Sequence, residues 1–291
     1  MKKFHPFLAV GLSLLCVTVA SAQDATPAPK YIQIYREFVK PGKGPAHQKT
    51  EGAFARDMKS SNAMPNYTAM VSITGPNEAW FVSRYDSVGA WGKDTEDTAK
   101  NTALQASLDR DNTVDGELLT DSRSIIARFR DDLSHRPGVS VPLTRFFSIT
   151  IVRIRPGHVP DFEAARKIIK DAHDKAAPTF NYSVYQVTSG MPAGTFLIIS
   201  YYKTLADVDA AAVIHGKEYT DAIGDDGQRK LNELASSGTI SSDPYIFAVD
   251  PKMSYPDKQT IAADPAFWAP KSSAAPAPTT KKSGSTKPTG K

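Results

Sequence analysis

Six histidines and a single cysteine, Cys16, bound the chemistry open to this 291-residue chain. Imidazole titrates closest to neutrality, so a histidine can take a proton from a bound molecule. His47 and His215 are the candidate catalytic residues. His47 stands 115 positions before Phe162, and much of the chain repeats at that spacing. The stretch from Pro41-Gly42 to Asn66-Tyr67 returns as Pro156-Gly157 to Asn181-Tyr182. One copy therefore carries an imidazole where the other carries a core aromatic. His215 precedes Gly216 in an interrupted helical region. Trp80, Tyr85 and Trp91 offer faces on which a planar apolar ligand can stack, and His173, near a helix end, is a fourth binding candidate. Each has a plainer use: His47 in solvent on a helix flank, His173 as a half-buried structural residue, the aromatics as core.

Other chemistries lack their residues. No H-E-x-x-H, G-x-S-x-G, P-loop or G-x-G-x-x-G is present, which removes the zinc-protease, hydrolase-elbow and phosphate-cradle motifs. The acidic run Asp109 to Glu117 has its glycine in the wrong register for a calcium loop and reads as a helix-capping loop. No resident metal site is expected.

Cys16 falls in a segment that does not belong to the fold. Lys2 and Lys3, the apolar run Phe7 to Val19 and Ala20-Ser21-Ala22 have the order of a cleavable signal peptide, residues 1–22. The mature chain then has no thiol, no disulfide and no transmembrane segment, and its expected location is periplasmic or secreted. The net charge of +4 misleads. The signal holds two lysines and the stretch from Lys271 to Lys291 five lysines and no acid, so the part between is mildly acidic. Nucleic acid is not an expected partner. The basic tail is suited to touching an anionic cell envelope.

Apolar periodicity supplies the elements. Residues 23–30 form a linker, 31–136 a first unit, 137–143 a second linker, 144–256 a second unit, and 257–291 a low-complexity basic tail. In the first unit strands are predicted over 31–39, 66–74, 79–85 and 124–130, with helices over 45–61 and 87–108. The second repeats the order with strands at 145–155, 180–189, 195–202 and 245–249. The spacing drifts to 116 near Tyr85 and Tyr201. Each unit is thus β-α-β-β-α-β, a ferredoxin-like arrangement with one apolar sheet face left uncovered. Two such units packed sheet to sheet bury both faces in one α/β barrel, making an α+β protein.

This element order and repeat resemble the dimeric α/β-barrel superfamily, its two halves fused in tandem. The resemblance implies a ligand between a sheet and its helices. It covers NIPSNAP-like and stress-response barrels, cofactor-independent monooxygenases and haem proteins. The leading expectation is binding of a small hydrophobic or aromatic molecule, or a stress role, without a cofactor. The alternative is a cofactor-independent monooxygenase using His47, or a haem-dependent enzyme with His215 on the iron. The haem-degrading branch pairs a tryptophan with a helical histidine, and no histidine follows Trp91 before Arg130.

Overall fold

The computed structural model describes residues 26–138, 140–176, 180–213 and 216–269. The expected signal segment, His215 and the lysine-rich end from Lys271 lie outside them.

Strand β1 (Tyr31–Val39) shows the two-residue period that organises everything after it. Ile32 and Ile34 enter the barrel interior, while Gln33, Tyr35 and Glu37 face the helices. The following turn needs Gly42 at φ 77°, a left-handed conformation that costs glycine little. Helix α1 (Gly44–Ser60) has Pro45 in its first turn, where the missing N–H loses no hydrogen bond. Strands β2 (Tyr67–Ser72) and β3 (Glu78–Tyr85) form a hairpin. Helix α2 (Val88–Lys100) starts where the Ser87 hydroxyl accepts from the Ala90 N–H. Asn101 caps α3 (Thr102–Gly116) in the same way through Leu104, and β4 (Leu119–Phe129) ends the half.

The second half repeats this as β5 (Phe146–Ile154), α4 (Val159–Ala176), β6 (Ser183–Ser189), β7 (Thr195–Tyr202), α5 (Leu205–Ala212), α6 (Lys217–Glu233) and β8 (Thr239–Val249). All strand pairs are antiparallel and close into one barrel in the order β1-β3-β2-β8-β5-β7-β6-β4. Each half contributes a ferredoxin-like sheet, and the halves are stitched at β2–β8 and β4–β6. This is the expected α+β fold. The register sets Tyr31 opposite Tyr85 and Phe146 opposite Tyr202. Tyr85 therefore corresponds to Tyr202, not to Tyr201, because the β6–β7 hairpin is longer than β2–β3.

Three apolar cores result among the described residues. One fills the barrel, with Ile34, Trp80, Ile125, Ile149, Leu197 and Phe247 all essentially unexposed. The other two lie between each sheet and its own helices.

Three expectations change. The acidic run after Leu108 is not a capping loop: α3 continues to Gly116, its packed Leu104 and Leu108 carrying a last turn of poor helix formers. Strand β4 begins at Leu119 instead of Ser124, because its first turns are exposed and show no apolar alternation. The low-complexity tail does not begin at 257. Residues Lys258–Ala263 (α7) and Pro265–Trp268 (α8) are helical, and Trp268 is buried in the barrel core. Among the described residues no helix is long and apolar enough to cross a membrane.

Candidate functional site

Between the first half's sheet and helices lies a cavity of about 430 Å³. Tyr35, Phe54, Met58, Phe81, Tyr85 and Trp91 supply its apolar walls. Polar groups gather at one end. Glu37 faces the helices by the period of β1, while His47 and Glu51 are one turn apart on α1 and share a face. Asp115 arrives from the last turn of α3, which packs along α1. One ligating atom from each of these four residues lies within 4.8 Å of every other. Nitrogen and carboxylate oxygen are both donors to a divalent ion, so this is where the first half could hold a metal.

The cluster is short of compensating charge. His47 Nε2 is 2.9 Å from Glu37 Oε2 and 3.9 Å from Asp115 Oδ1. His47, Glu51 and Asp115 are all buried. Burial, then the neighbouring Glu37, Asp115 and Asp111, hold the Glu51 carboxyl well above the ordinary range. Burial and Glu37, partly offset by His47, push Asp115 up to about 6. The Tyr67 hydroxyl is raised first by burial, then by Glu51 and Glu37. It is buried without a hydrogen-bond partner, as is Asp115 Oδ1.

A stability prediction follows from those directions. A carboxyl that holds its proton more tightly folded than unfolded contributes stability at low pH, and loses it as pH rises through the folded value. For Asp115 that window runs from 3.8 to about 6, and for Glu51 from 4.5 upward. With EDTA present, Glu51→Gln is expected to raise unfolding free energy by about 1–3 kcal/mol at pH 8. Near pH 4.5 the gain should vanish. Urea denaturation at the two pH values measures both, and a loss of stability at pH 8 would contradict this account.

Of the residues singled out from sequence, His47 stands behind two of the lining residues, 2.9 Å from Glu37 and with its ring 6.3 Å from that of Phe81, while Tyr85 and Trp91 line this cavity. Trp80 does not. Its place on β3 turns it into the barrel, where its Nε1 donates to Glu78 Oε2 at 2.9 Å. The space beside it there is about 60 Å³, too small for an aromatic ligand. His173 sits in the other half, 2% exposed and enclosed by the rings of Phe180, Tyr182 and Tyr219. That is structural packing. His215 falls outside the described residues.

Glu37, Glu51 and Asp115 were not anticipated. The spacing that set His47 against Phe162 also sets Glu37 against Val152 and Glu51 against Arg166. An acid on a core-facing strand position, opposite a valine in the other copy, was the available signal. Asp115 had none, because its turn of helix read as loop.

No family model matches the chain, and no curated sequence matches it. Solved structures do resemble it in shape. An anthrone oxidase-like protein aligns at TM-score 0.49 and 12% identity, over 76% of this chain and 92% of the other. A mutant chlorite dismutase from Candidatus Nitrospira defluvii aligns at 0.45 and 11%, over 77% and 92%. A heme-binding protein from Thermus thermophilus aligns at 0.42 and 7%, over 78% and 97%. The strand order establishes the barrel; these scores add no function to it.

Proposed function

We propose that the protein binds a small aromatic molecule in the first half's cavity, with a polar substituent turned toward Glu37, Glu51, Asp115 and His47. The observation that carries this reading is the coincidence of two linings. Aromatic and thioether walls suit a flat apolar ring, and the acidic end suits a hydroxyl or another hydrogen-bond donor. Few pockets that merely result from imperfect packing combine the two.

One observation favours catalysis as a second reading. The His47–Glu37 contact of 2.9 Å pairs a base with an orienting carboxylate, and Glu37 itself lines the cavity. A base there can remove a proton from an acidic C–H beside an aromatic ring. A cofactor-independent oxidation would then convert a ring CH₂ and O₂ into a ring carbonyl and water.

Haem finds no such support among the described residues. His173 is enclosed by aromatic rings, and the equivalent layer of the second half is packed with Phe162, Val184 and Phe196. The order of residues 1–22, basic then apolar then small, supports export of the protein.

The test is a titration with 2-naphthol followed by tryptophan fluorescence. Saturable quenching is expected, and Trp91→Phe should remove most of the change, since Trp80 and Trp268 lie in the barrel core. Phe81→Asp should weaken binding about tenfold or more, as expected for placing a charge in an apolar wall. Absence of saturation, or equal affinity in Phe81→Asp, would sink the reading. Oxygen uptake with an anthrone that requires His47 separates catalysis from binding.

A further inference from the structure

The acidic end of the cavity has more structure than recognition of a hydroxyl requires. Three carboxylates and one imidazole, drawn from β1, α1 and α3, each place one ligating atom within 4.8 Å of the others. Among the described residues, His47 is the only basic side chain paired with them. Two polar atoms around that centre are buried without a hydrogen-bond partner, Asp115 Oδ1 and the Tyr67 hydroxyl. Asp115 is 3% exposed and Tyr67 7%. An unsatisfied buried carboxylate oxygen is costly unless something outside the chain completes it. In the second half Val152, Phe162 and Arg166 stand at the corresponding positions, and Val152 and Phe162 there belong to an apolar core. The fold therefore does not need an acid at position 37 or 51.

We propose that Glu37, His47, Glu51 and Asp115 bind one divalent first-row transition-metal ion. Imidazole with carboxylates suits manganese, iron or zinc, and the absence of a thiolate argues against copper(I). Ligand atoms on a tetrahedral zinc ion are about 3.3–3.6 Å from one another, so four atoms already within 4.8 Å of one another need side-chain rotations that draw the widest pair in by about an ångström. An ion here offsets two of the three carboxylate charges and gives Asp115 Oδ1 a partner. Tyr67, with its hydroxyl beside Glu51 and Glu37, is placed to donate to one of them and fix its orientation. The ion site does not depend on the aromatic-ligand reading, and either can fail alone.

The experiment uses the full chain purified in EDTA, dialysed and titrated with zinc chloride against a chromophoric chelator. One ion per chain is expected, with a dissociation constant of about 1 µM or below, as is usual for a three- or four-ligand zinc site. His47→Gln and Asp115→Asn should each weaken it about 100-fold or more. His158→Gln, which removes a half-buried histidine paired with Asp161, should bind as the unaltered protein does. Because a site variant can lose its fold, the unaltered protein gives an independent reading. Crystals soaked in zinc should show an anomalous peak within bonding distance of Glu37, His47, Glu51 and Asp115. No zinc bound at 1 mM (about a thousandfold above the expected constant), or a peak elsewhere, overturns the proposal. So does affinity unchanged by Asp115→Asn.

Discussion

Trp268→Ala is expected to destabilise the protein by about 3–5 kcal/mol, the usual cost of removing a buried tryptophan from a packed core. The residue lies past the last strand, where composition turns to proline, serine and lysine, yet it is 5% exposed. Its ring packs in the barrel core and its Nε1 donates to the Pro142 carbonyl at 3.0 Å. Polar contacts hold the segment in place around it. Arg84 pairs with Asp257 at 3.0 Å, Arg145 pairs with Asp264, and the Arg145 guanidinium lies 3.6 Å from the Phe267 ring centre. The C-terminal helices thus carry Trp268 into the barrel as a plug. Trp268→Phe keeps most of the apolar contact and loses one hydrogen bond, so it should cost about 1 kcal/mol more than the lost ring area alone. Urea unfolding of the full chain measures both. A loss below about 0.5 kcal/mol for Trp268→Ala, the size of an ordinary surface substitution, would show that the segment only rests on the barrel.

That plug marks where the sequence stopped being readable. The barrel itself was legible, because each Pro-Gly turn follows an apolar strand and precedes a proline-started helix, and the pattern recurs at one spacing. Local rules fix such elements: glycine for a left-handed turn, proline at a first helical turn, apolar residues at period 2 or 3.6. Trp268 depends instead on long-range contacts with Pro142 and the barrel interior, and nothing local announces them. The site divides in the same way. His47 stood out because its copy is Phe162. Asp115 was hidden in Asp-Arg-Asp-Asn-Thr-Val-Asp-Gly, whose residues favour loops in isolation and become helix only because α1 packs beside them. Trp80 was misplaced by parity. Aromatic character alone does not say whether a β3 residue faces the cavity or the barrel, and neighbouring positions face opposite ways.

The two halves also show how one architecture carries a site on one side only. The space between sheet and helices in the second half is closed by Phe162 against Phe196, rings 4.4 Å apart. In the first half the β3 residue matching Phe196 is Ala79, by the same register. Alanine in place of phenylalanine removes one ring from the equivalent layer, and His47 in place of Phe162 exchanges a phenyl ring for a smaller imidazole. The volume so released lies near the acidic cluster, and the chain has less core packing there than in the second half. That exchange is the usual relation between a functional site and local stability.

Arg36 and Glu78 are expected to behave as one unit under substitution. Both are buried, at 6% and 1% exposure, and two hydrogen bonds join them: Nε to Oε2 at 2.9 Å and a terminal nitrogen to Oε1 at 3.1 Å. Trp80 Nε1 donates a third bond to the same carboxylate, and the guanidinium lies 4.9 Å from the Trp80 ring centre. Removing one partner leaves a buried charge unpaired, so Arg36→Met alone and Glu78→Gln alone should each cost about 3–5 kcal/mol. The double substitution leaves no charge, and the glutamine oxygen can still accept from Trp80. It should cost less than either single change, giving a coupling of about 3 kcal/mol or more in a double-mutant cycle. The coupling should also persist in 1 M salt, since screening acts on exposed charges far more than on buried ones. Additive losses would mean that water reaches the pair, and that this end of the barrel is open where Arg36, Glu78 and Trp80 are drawn shut.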